Sequence, residues 1–272
     1  MKTITIPQEV QNAQAIFVSH SGGKDSQAML GALIRLGLKD KLVIVHSDLG
    51  EMEWEPMHKW IEANSFGLPC HVVSAELDFF DLARKYKRLP SGRQQFCTDH
   101  LKTKPITQFI HDYMSAHGIT TAINATGMRA EESKRRADKK PFTLSKGDGT
   151  SGMHMPKKHP AHTIYDWMPI FDYRLDHVIK EIEACGQKMH EVYNMGFSRL
   201  SCVFCINGRV EEHAKASELR PELAQKMADL ERELGKTIRL KSVRGVKMPK
   251  FLDEYLNLKR FTSDNNNQLA FC

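Results

Sequence analysis

Short apolar runs alternate with amphipathic stretches through the first half of the chain. Ala15-Ile16-Phe17-Val18 predicts a strand, and Gln27 to Ile34 predicts a helix after it. Leu42-Val43-Ile44-Val45 predicts a second strand ending at His46-Ser47-Asp48, followed by a helix over Trp54 to Ala63. His71-Val72-Val73 predicts a third, short strand. Pro105 suits the first turn of a helix over Ile106 to Met114. Thr121 to Ala125 predicts a fourth strand, ending at Thr126-Gly127. Strands spaced by helices imply βαβ units, hence an α/β fold with a parallel sheet and helices on both faces. In such sheets ligands bind beyond the carboxyl ends of the strands.

The pattern changes in the second half. Residues 138–163 carry Lys139-Lys140, three glycines and Lys157-Lys158 with little apolar periodicity, so a long mobile insertion is expected there. Ile164 to Ile170 re-enters the fold. Leu175 to Cys185 predicts an amphipathic helix stopped by Gly186, and Glu211 to Leu234 a charged helix interrupted at Pro221. Arg239 to Lys250 is basic, and Ser263 to Gln268 is polar and expected to be disordered. The expected organisation is a nucleotide-binding α/β domain over residues 1–200 and a C-terminal helical, cysteine-containing extension with a basic tail over 201–272.

Chemistry concentrates in Ser21-Gly22-Gly23-Lys24-Asp25-Ser26, between the first strand and its helix. A tight glycine turn opening a helix gathers backbone N–H groups at the positive end of the helix dipole, which is an anion site. Ser21 and Ser26 add hydroxyls, and Lys24 adds a charge. Asp25 beside a phosphate calls for a cation between them, so the turn reads as a site for a nucleoside triphosphate with Mg2+. Neither G-x-x-x-x-G-K-[ST] nor G-x-G-x-x-G is present. Asp48 and Gly127 with Arg129 end other strands on the same side, and His20 and His46 lie nearby. Lys24, Asp25 and Arg129 are the candidate catalytic residues.

A second constellation is Cys202-Val203-Phe204-Cys205, two soft thiolates in the spacing that redox dithiols, zinc sites and iron–sulfur clusters share. Cys97 is the third thiolate that would complete such a site. An iron–sulfur cluster is the expectation for Cys97, Cys202 and Cys205, with zinc as its competitor. The chain has 272 residues, 41% of them hydrophobic, and a net charge of +6. Those values suit a polyanionic ligand such as a nucleotide or nucleic acid without singling one out. With no apolar signal core and no stretch of membrane-span length, a cytoplasmic protein without a membrane partner is expected.

The hexamer Ser21 to Ser26 resembles the S-G-G-x-D-S signature of the PP-loop ATP pyrophosphatase superfamily. Further segments narrow the resemblance. They are Asp48-Leu49-Gly50, Arg93 with Cys97-Thr98, Lys102 and Pro105, Gly127-Met128-Arg129-Ala130-Glu131-Glu132-Ser133 with Arg135-Arg136-Ala137, Trp167-Met168-Pro169, and Gly196 to Cys205. Together these are similar to the phosphoadenosine phosphosulfate (PAPS) reductase-like family. The resemblance implies a Rossmann-like, adenine nucleotide alpha hydrolase-like sheet. It implies phosphate binding by Ser21, Gly22, Gly23, Lys24, Asp25 and Ser26, with Asp48 near the ribose or metal. Lys102, Arg129 and Arg136 would face the phosphate or sulfate end; Glu132 itself is expected simply to pair with an arginine.

The family divides between reductases that release sulfite from PAPS or adenylyl sulfate and enzymes that split ATP into AMP and pyrophosphate for sulfur transfer. The intact loop favours ATP cleavage, with an adenine nucleotide, a sulfur-donor protein and a nucleic acid as the implied partners. A reductase using Cys272 or Cys97 as nucleophile is the alternative. A nucleotide-sensing regulator without turnover is a third reading, of another class.

Overall fold

The computed structural model describes residues 2–92, 94–145, 161–200, 202–238, 240–243 and 246–255. Expectations resting on Arg93, Ser201, residues 146–160 of the insertion, the polar tail or Cys272 lie outside them. The chain divides into two compact units, Met1–Asp78 with Phe96–Cys202, and Phe79–Gln95 with Val203–Cys272.

In the first unit the chain runs through α1 (Gln8–Asn12), β1 (Ala15–Ser19), α2 (Lys24–Arg35), β2 (Leu42–Asp48), α3 (Met57–Ala63) and β3 (Cys70–Ser74). After α4 (Phe79–Tyr86), which belongs to the second unit, come α5 (Phe96–Thr98), a π-helical turn (Asp99–Thr103), α6 (Lys104–Ala116) and β4 (Thr121–Thr126). Then follow α7 (Lys134–Ala137), β5 (Phe142–Leu144), β6 (Thr163–Trp167) and α8 (Leu175–Ala184).

The sheet order is β3-β2-β1-β4-β6-β5. All neighbours are parallel except β5, which runs antiparallel to β6 at the edge. From β1 the chain builds outward through β2 to β3, then returns to place β4 on the other side of β1. That reversal puts the switch point of this Rossmann-like α/β fold between β1 and β4, where a crevice opens at the strand ends.

Both faces of β1 are covered, as its unbroken apolar run requires. Ala15 and Phe17 pack with Ala122 and Ile164 against Ile110 and Met114 of α6. The Phe17 ring meets Phe109 and Tyr113 edge-on, with centroids 6.2 and 5.5 Å away. Ile16 and Val18 project to the other face and are equally buried. Helix α2 is buried continuously from Ser26 to Leu33. Side chains such as Phe17, Met29 and Leu30 each stabilise the unit by about 1.5–3 kcal/mol on burial. Because β1 and α2 are fixed along their length, the turn between them sits on a rigid base.

Two expectations need correction. Helix α3 starts at Met57 rather than Trp54, because Pro56 disfavours helical backbone in the residue before it. The segment from 138 to 163 is not loop throughout: Phe142–Leu144 forms β5, a strand of three residues, too short for a readable alternation.

In the second unit, α9 (Val210–Leu219) and α10 (Pro221–Leu234) part at Arg220, where Pro221 opens the new helix. A hairpin of β7 (Leu240–Val243) and β8 (Val246–Pro249) precedes α11 (Leu252–Tyr255). Glu231 is fully buried and accepts from the amides of Ile238 (2.9 Å) and Leu252 (2.6 Å) and from the Thr237 hydroxyl (3.0 Å). Burial raises its pKa even against these donors.

Candidate functional site

β1 ends at Ser19 and α2 begins at Lys24, so His20 to Gly23 make the turn. Gly22 has φ +76°, and a Cβ on it would stand 2.3 Å from the Met57 Cε. Ser26 Oγ donates to the Gly23 carbonyl (2.8 Å), accepts from the Ser21 amide (3.3 Å) and lies 3.2 Å from Ser21 Oγ. The Gly22 amide donates to His20 Nδ1 (3.0 Å), and the Gly23 amide to Ser21 Oγ (3.4 Å). The Lys24 amide donates to the Tyr193 hydroxyl oxygen (2.9 Å).

The expectation of free amides throughout the turn is thereby corrected. Four successive N–H groups find protein acceptors, because short hydroxyl, imidazole and phenol groups crowd the turn. For the amides of Asp25 and Ser26 there is no hydrogen-bond acceptor among the described residues. Those two donors are what the N-terminus of α2 offers an anion.

Asp25 is held by Arg129: Nε donates to Oδ1 at 2.6 Å. Lys24 Nζ lies 3.5 Å from the other carboxylate oxygen and donates to the Ser198 carbonyl at 3.1 Å. Arg129 is 5% exposed, and its Nη1 donates to Glu131 (2.6 Å) and to the Tyr173 carbonyl (3.3 Å). Burial alone would lower its pKa, but Asp25 and Glu131 raise it, so the guanidinium is charged. The carboxylate that the sequence assigned to a phosphate-bound cation is thus already neutralised by an arginine. Arg129 itself is turned into an ion-pair network rather than set on the cavity wall. Gly127 allows this packing. A Cβ there would lie 2.9 Å from the backbone carbon and oxygen of Asp25 and from the Ser26 nitrogen.

Beyond the ends of β1, β2 and β4 lies a cavity of about 240 Å3. Ser19, His20, Ser21, His46, Ser47, Glu53, Thr103, Asn124 and Thr126 supply its polar wall, and Leu49, Trp54, Met57, Ile106 and Leu200 its apolar wall. This mixture, apolar with a few convergent polar groups, is that of a small-ligand site. Lys102 projects from the π-helical turn onto the cavity. Ser47 Oγ fastens that turn to β2 by donating to the Leu101 carbonyl.

His20 is 3% exposed, and burial, with nearby His46 adding to it, pushes its pKa down to about 3. Its Nδ1 accepts from Gly22, so the neutral ring carries its proton on Nε2. His46 Nδ1 lies at hydrogen-bond distance from the His20 carbonyl (2.9 Å), and its Nε2 lies 3.1 Å from a Glu53 carboxylate oxygen. Asn124 links Ser19 to Asp166: Ser19 Oγ donates to Oδ1 (3.1 Å), and Nδ2 donates to the carboxylate (2.8 Å). Burial raises the Asp166 pKa.

Of the candidates from sequence, Ser21, Lys102 and Cys202 line the cavity. Gly22, Gly23, Lys24, Asp25 and Ser26 form the turn beside it, and Gly127 and Arg129 buttress the turn. Asp48 ends β2 and accepts from the Gly50 amide (2.8 Å) in a local turn, off the cavity lining. Arg136 pairs with Glu132, which also accepts from the Arg129 amide (3.1 Å), so the structure places it away from the cavity wall. Among the described residues no group of three or more His, Cys, Asp or Glu side chains is placed to hold a metal ion. The set of Cys97, Cys202 and Cys205 expected from sequence is not among such groups and stays an expectation.

Tyr193, Asn124 and Trp54 escaped the sequence reading. Asn124 sits inside an apolar strand run, where a lone amide could have been noticed as a strand-end group. Tyr193 is 169 residues from its partner Lys24, and no local pattern marks it.

A glycine turn, a helix N-terminus and a cavity at the switch point define a Rossmann-like α/β protein with a cavity suited to a small ligand. Residues 15–207 match the phosphoadenosine phosphosulfate reductase domain family, and the chain belongs to that family. Among curated proteins it is 28% identical over 161 residues to an uncharacterised 37.8 kDa protein of Escherichia phage 186, covering 57% of this chain and 42% of that one. It is 25% identical over 223 residues to an uncharacterised protein of Methanocaldococcus jannaschii, covering 81% of this chain and 48% of the other. The chain thus spans less than half the length of these relatives. Among solved structures, the PAPS reductase of Candida auris in its phosphate complex aligns with a TM-score of 0.46 at 12% identity, over 73% of this chain and 88% of that one. The FMN adenylyltransferase of Candida glabrata with FAD and pyrophosphate aligns at 0.44 and 17%, over 71% and 56%. Among the described residues no helix is long and apolar enough to cross a membrane.

Proposed function

We propose that the chain binds Mg2+-ATP and cleaves it between the α and β phosphates, activating an acceptor for sulfur transfer. The observation that carries this reading is a helix N-terminus with two amides lacking a protein acceptor, Asp25 and Ser26, on a turn whose Ser21 lines a cavity at the β1–β4 switch point. The intact Ser21 to Ser26 signature and the family membership support it. The base and ribose lie in the cavity against Trp54, Leu49 and Ile106. The phosphates extend onto the N-terminus of α2. An acceptor oxygen forms a bond to the α-phosphorus while the bond to the bridging oxygen breaks, and that electron pair leaves with pyrophosphate. Mg2+ arrives with the nucleotide as part of the substrate.

Charge that grows on the leaving pyrophosphate meets the α2 amides, Lys24 and Lys102. Lys102 has no ion-pair partner among the described residues, so its charge remains available. Asp25 and Arg129 hold the first turn of α2 in place. The net charge of +6 favours a polyanionic acceptor such as nucleic acid.

The test is product analysis of ATP and Mg2+ with and without added nucleic acid. Equal amounts of AMP and pyrophosphate are expected, with Lys102→Met lowering turnover about tenfold and stability little. Release of ADP and phosphate, or sulfite from PAPS with a thiol reductant and no cleavage of ATP, overturns the reading.

A further inference from the structure

The Tyr193 oxygen is where two main-chain donors meet. It accepts from the Lys24 amide at 2.9 Å and from the Leu200 amide at 3.2 Å. A phenol oxygen has two acceptor positions and one hydrogen, so both acceptor positions are used. Its own hydrogen finds no acceptor among the described residues. Burial, the largest influence, pushes the Tyr193 pKa up to about 12, so the hydrogen is retained at working pH. Two N–H groups bonded to the oxygen polarise the O–H and make it a stronger donor.

Its position is specific. A Cβ built on Gly23 would stand 3.3 Å from the oxygen, which places the hydroxyl at the rim of α2 where the Asp25 and Ser26 amides are open. Lys24 Nζ lies over the same ring, 4.9 Å from its centroid, and is tethered to Ser198. The segment bearing Tyr193 is itself fixed. His190 accepts from the Val192 amide (3.2 Å), contacts Glu55 through Nε2 (2.6 Å) and meets the Trp60 ring edge-on at 4.8 Å.

We propose that Tyr193 is a binding residue for the phosphate end of the ligand. Its hydroxyl donates to a phosphate oxygen seated on α2 and extends the polarity of the Lys24 and Leu200 amides one atom further into the site. This rests on the nucleotide reading above. The opposite role is a plug, in which the oxygen occupies the Lys24 amide and keeps a phosphate away from it.

Titration calorimetry of wild type and Tyr193→Phe with inorganic pyrophosphate, Mg2+-ATP and adenosine separates the roles. A donor predicts that Phe weakens pyrophosphate and ATP about tenfold or more and leaves adenosine unchanged. Unchanged or tighter pyrophosphate binding by Phe overturns the proposal while the nucleotide reading stands. An equal loss for adenosine identifies a merely structural residue and overturns it as well. A wild type that binds neither pyrophosphate nor ATP removes both the proposal and the nucleotide reading.

Should Phe disturb the fold, 3-fluorotyrosine at 193 keeps the contacts and makes the hydroxyl more acidic. Its pyrophosphate affinity is expected to fall at lower pH than that of the wild type, and superimposable pH profiles overturn the proposal.

Discussion

The Ser21–Ser26 turn and the Cys202–Cys205 segment differ in what their polar groups are doing. In the turn, hydroxyls, an imidazole, a phenol and an ion pair converge on the first residues of α2, beside a cavity. Around Cys205 a main-chain carbonyl is the meeting point. That carbonyl accepts from the Gly208 amide and from His213 Nε2, both at 2.8 Å. Gly208 is tight there: a Cβ on it would stand 2.8 Å from His213 Nε2. Cys202 lines that cavity too, so the two regions differ in how their backbone is held: in the first, side chains engage main-chain amides, and in the second, donors converge on a main-chain carbonyl. Contiguous residues carry much of their geometry with them, whereas a thiolate site needs a third ligand brought by the fold.

The strongest way to break the comparison is at Gly127. The atoms a side chain would strike are backbone atoms of Asp25 and Ser26, which cannot turn aside. Gly127→Val is expected to cost about 3 kcal/mol or more in urea unfolding and to abolish nucleotide binding. Gly22→Ala sharpens the point. Its obstacle is the Met57 methyl, which can move, so its cost reduces to that of a left-handed backbone, about 1–2 kcal/mol. Equal effects of the two substitutions would mean that the first turn of α2 is not the rigid base described.

The strands, the α2 helix and the crevice they create were legible in the sequence because apolar runs and a glycine turn encode local geometry. The partners within the site were less so. Arg129 was readable as a strand-end cation, but its partner Asp25 lies 104 residues away, and a sequence does not reveal which charges a fold will bring together. The turn was read as a set of open amides, yet His20 and Tyr193 engage two of them. For the cysteines, the spacing of 202 and 205 was visible, whereas Cys97 was named for its polar, basic setting, because no periodicity reports on tertiary proximity.

A smaller effect is expected from pH. In the folded state His20 titrates at about 3, against an ordinary value of about 6.5. Between those values the unfolded chain takes up a proton that the folded chain refuses. Stability from this site is therefore complete above pH 6.5 and lost as pH falls, by about 1.4 kcal/mol per unit, or about 2 kcal/mol by pH 5. His20→Asn keeps an acceptor for the Gly22 amide and removes the titration. Its urea midpoint is expected to fall less between pH 7 and 5 than that of the wild type. Parallel slopes would show that His20 is not the buried, neutral support of the loop.

The least effect is expected at Cys205, and it bears on the comparison most directly. The Cys205 carbonyl accepts from Gly208 and His213, and a serine at that position retains this carbonyl with almost the same shape. None of Cys70, Cys97, Cys185, Cys202 and Cys205 is in a disulfide, so no covalent restraint is lost. Cys205→Ser is expected to stay within about 0.5 kcal/mol of wild-type stability and to match the wild type in the proposed release of pyrophosphate. Metal analysis of both proteins, purified without oxygen, supplies the decisive contrast. If the wild type carries stoichiometric iron or zinc that the variant loses together with activity, the thiols gather a ligand set that this arrangement of side chains does not contain.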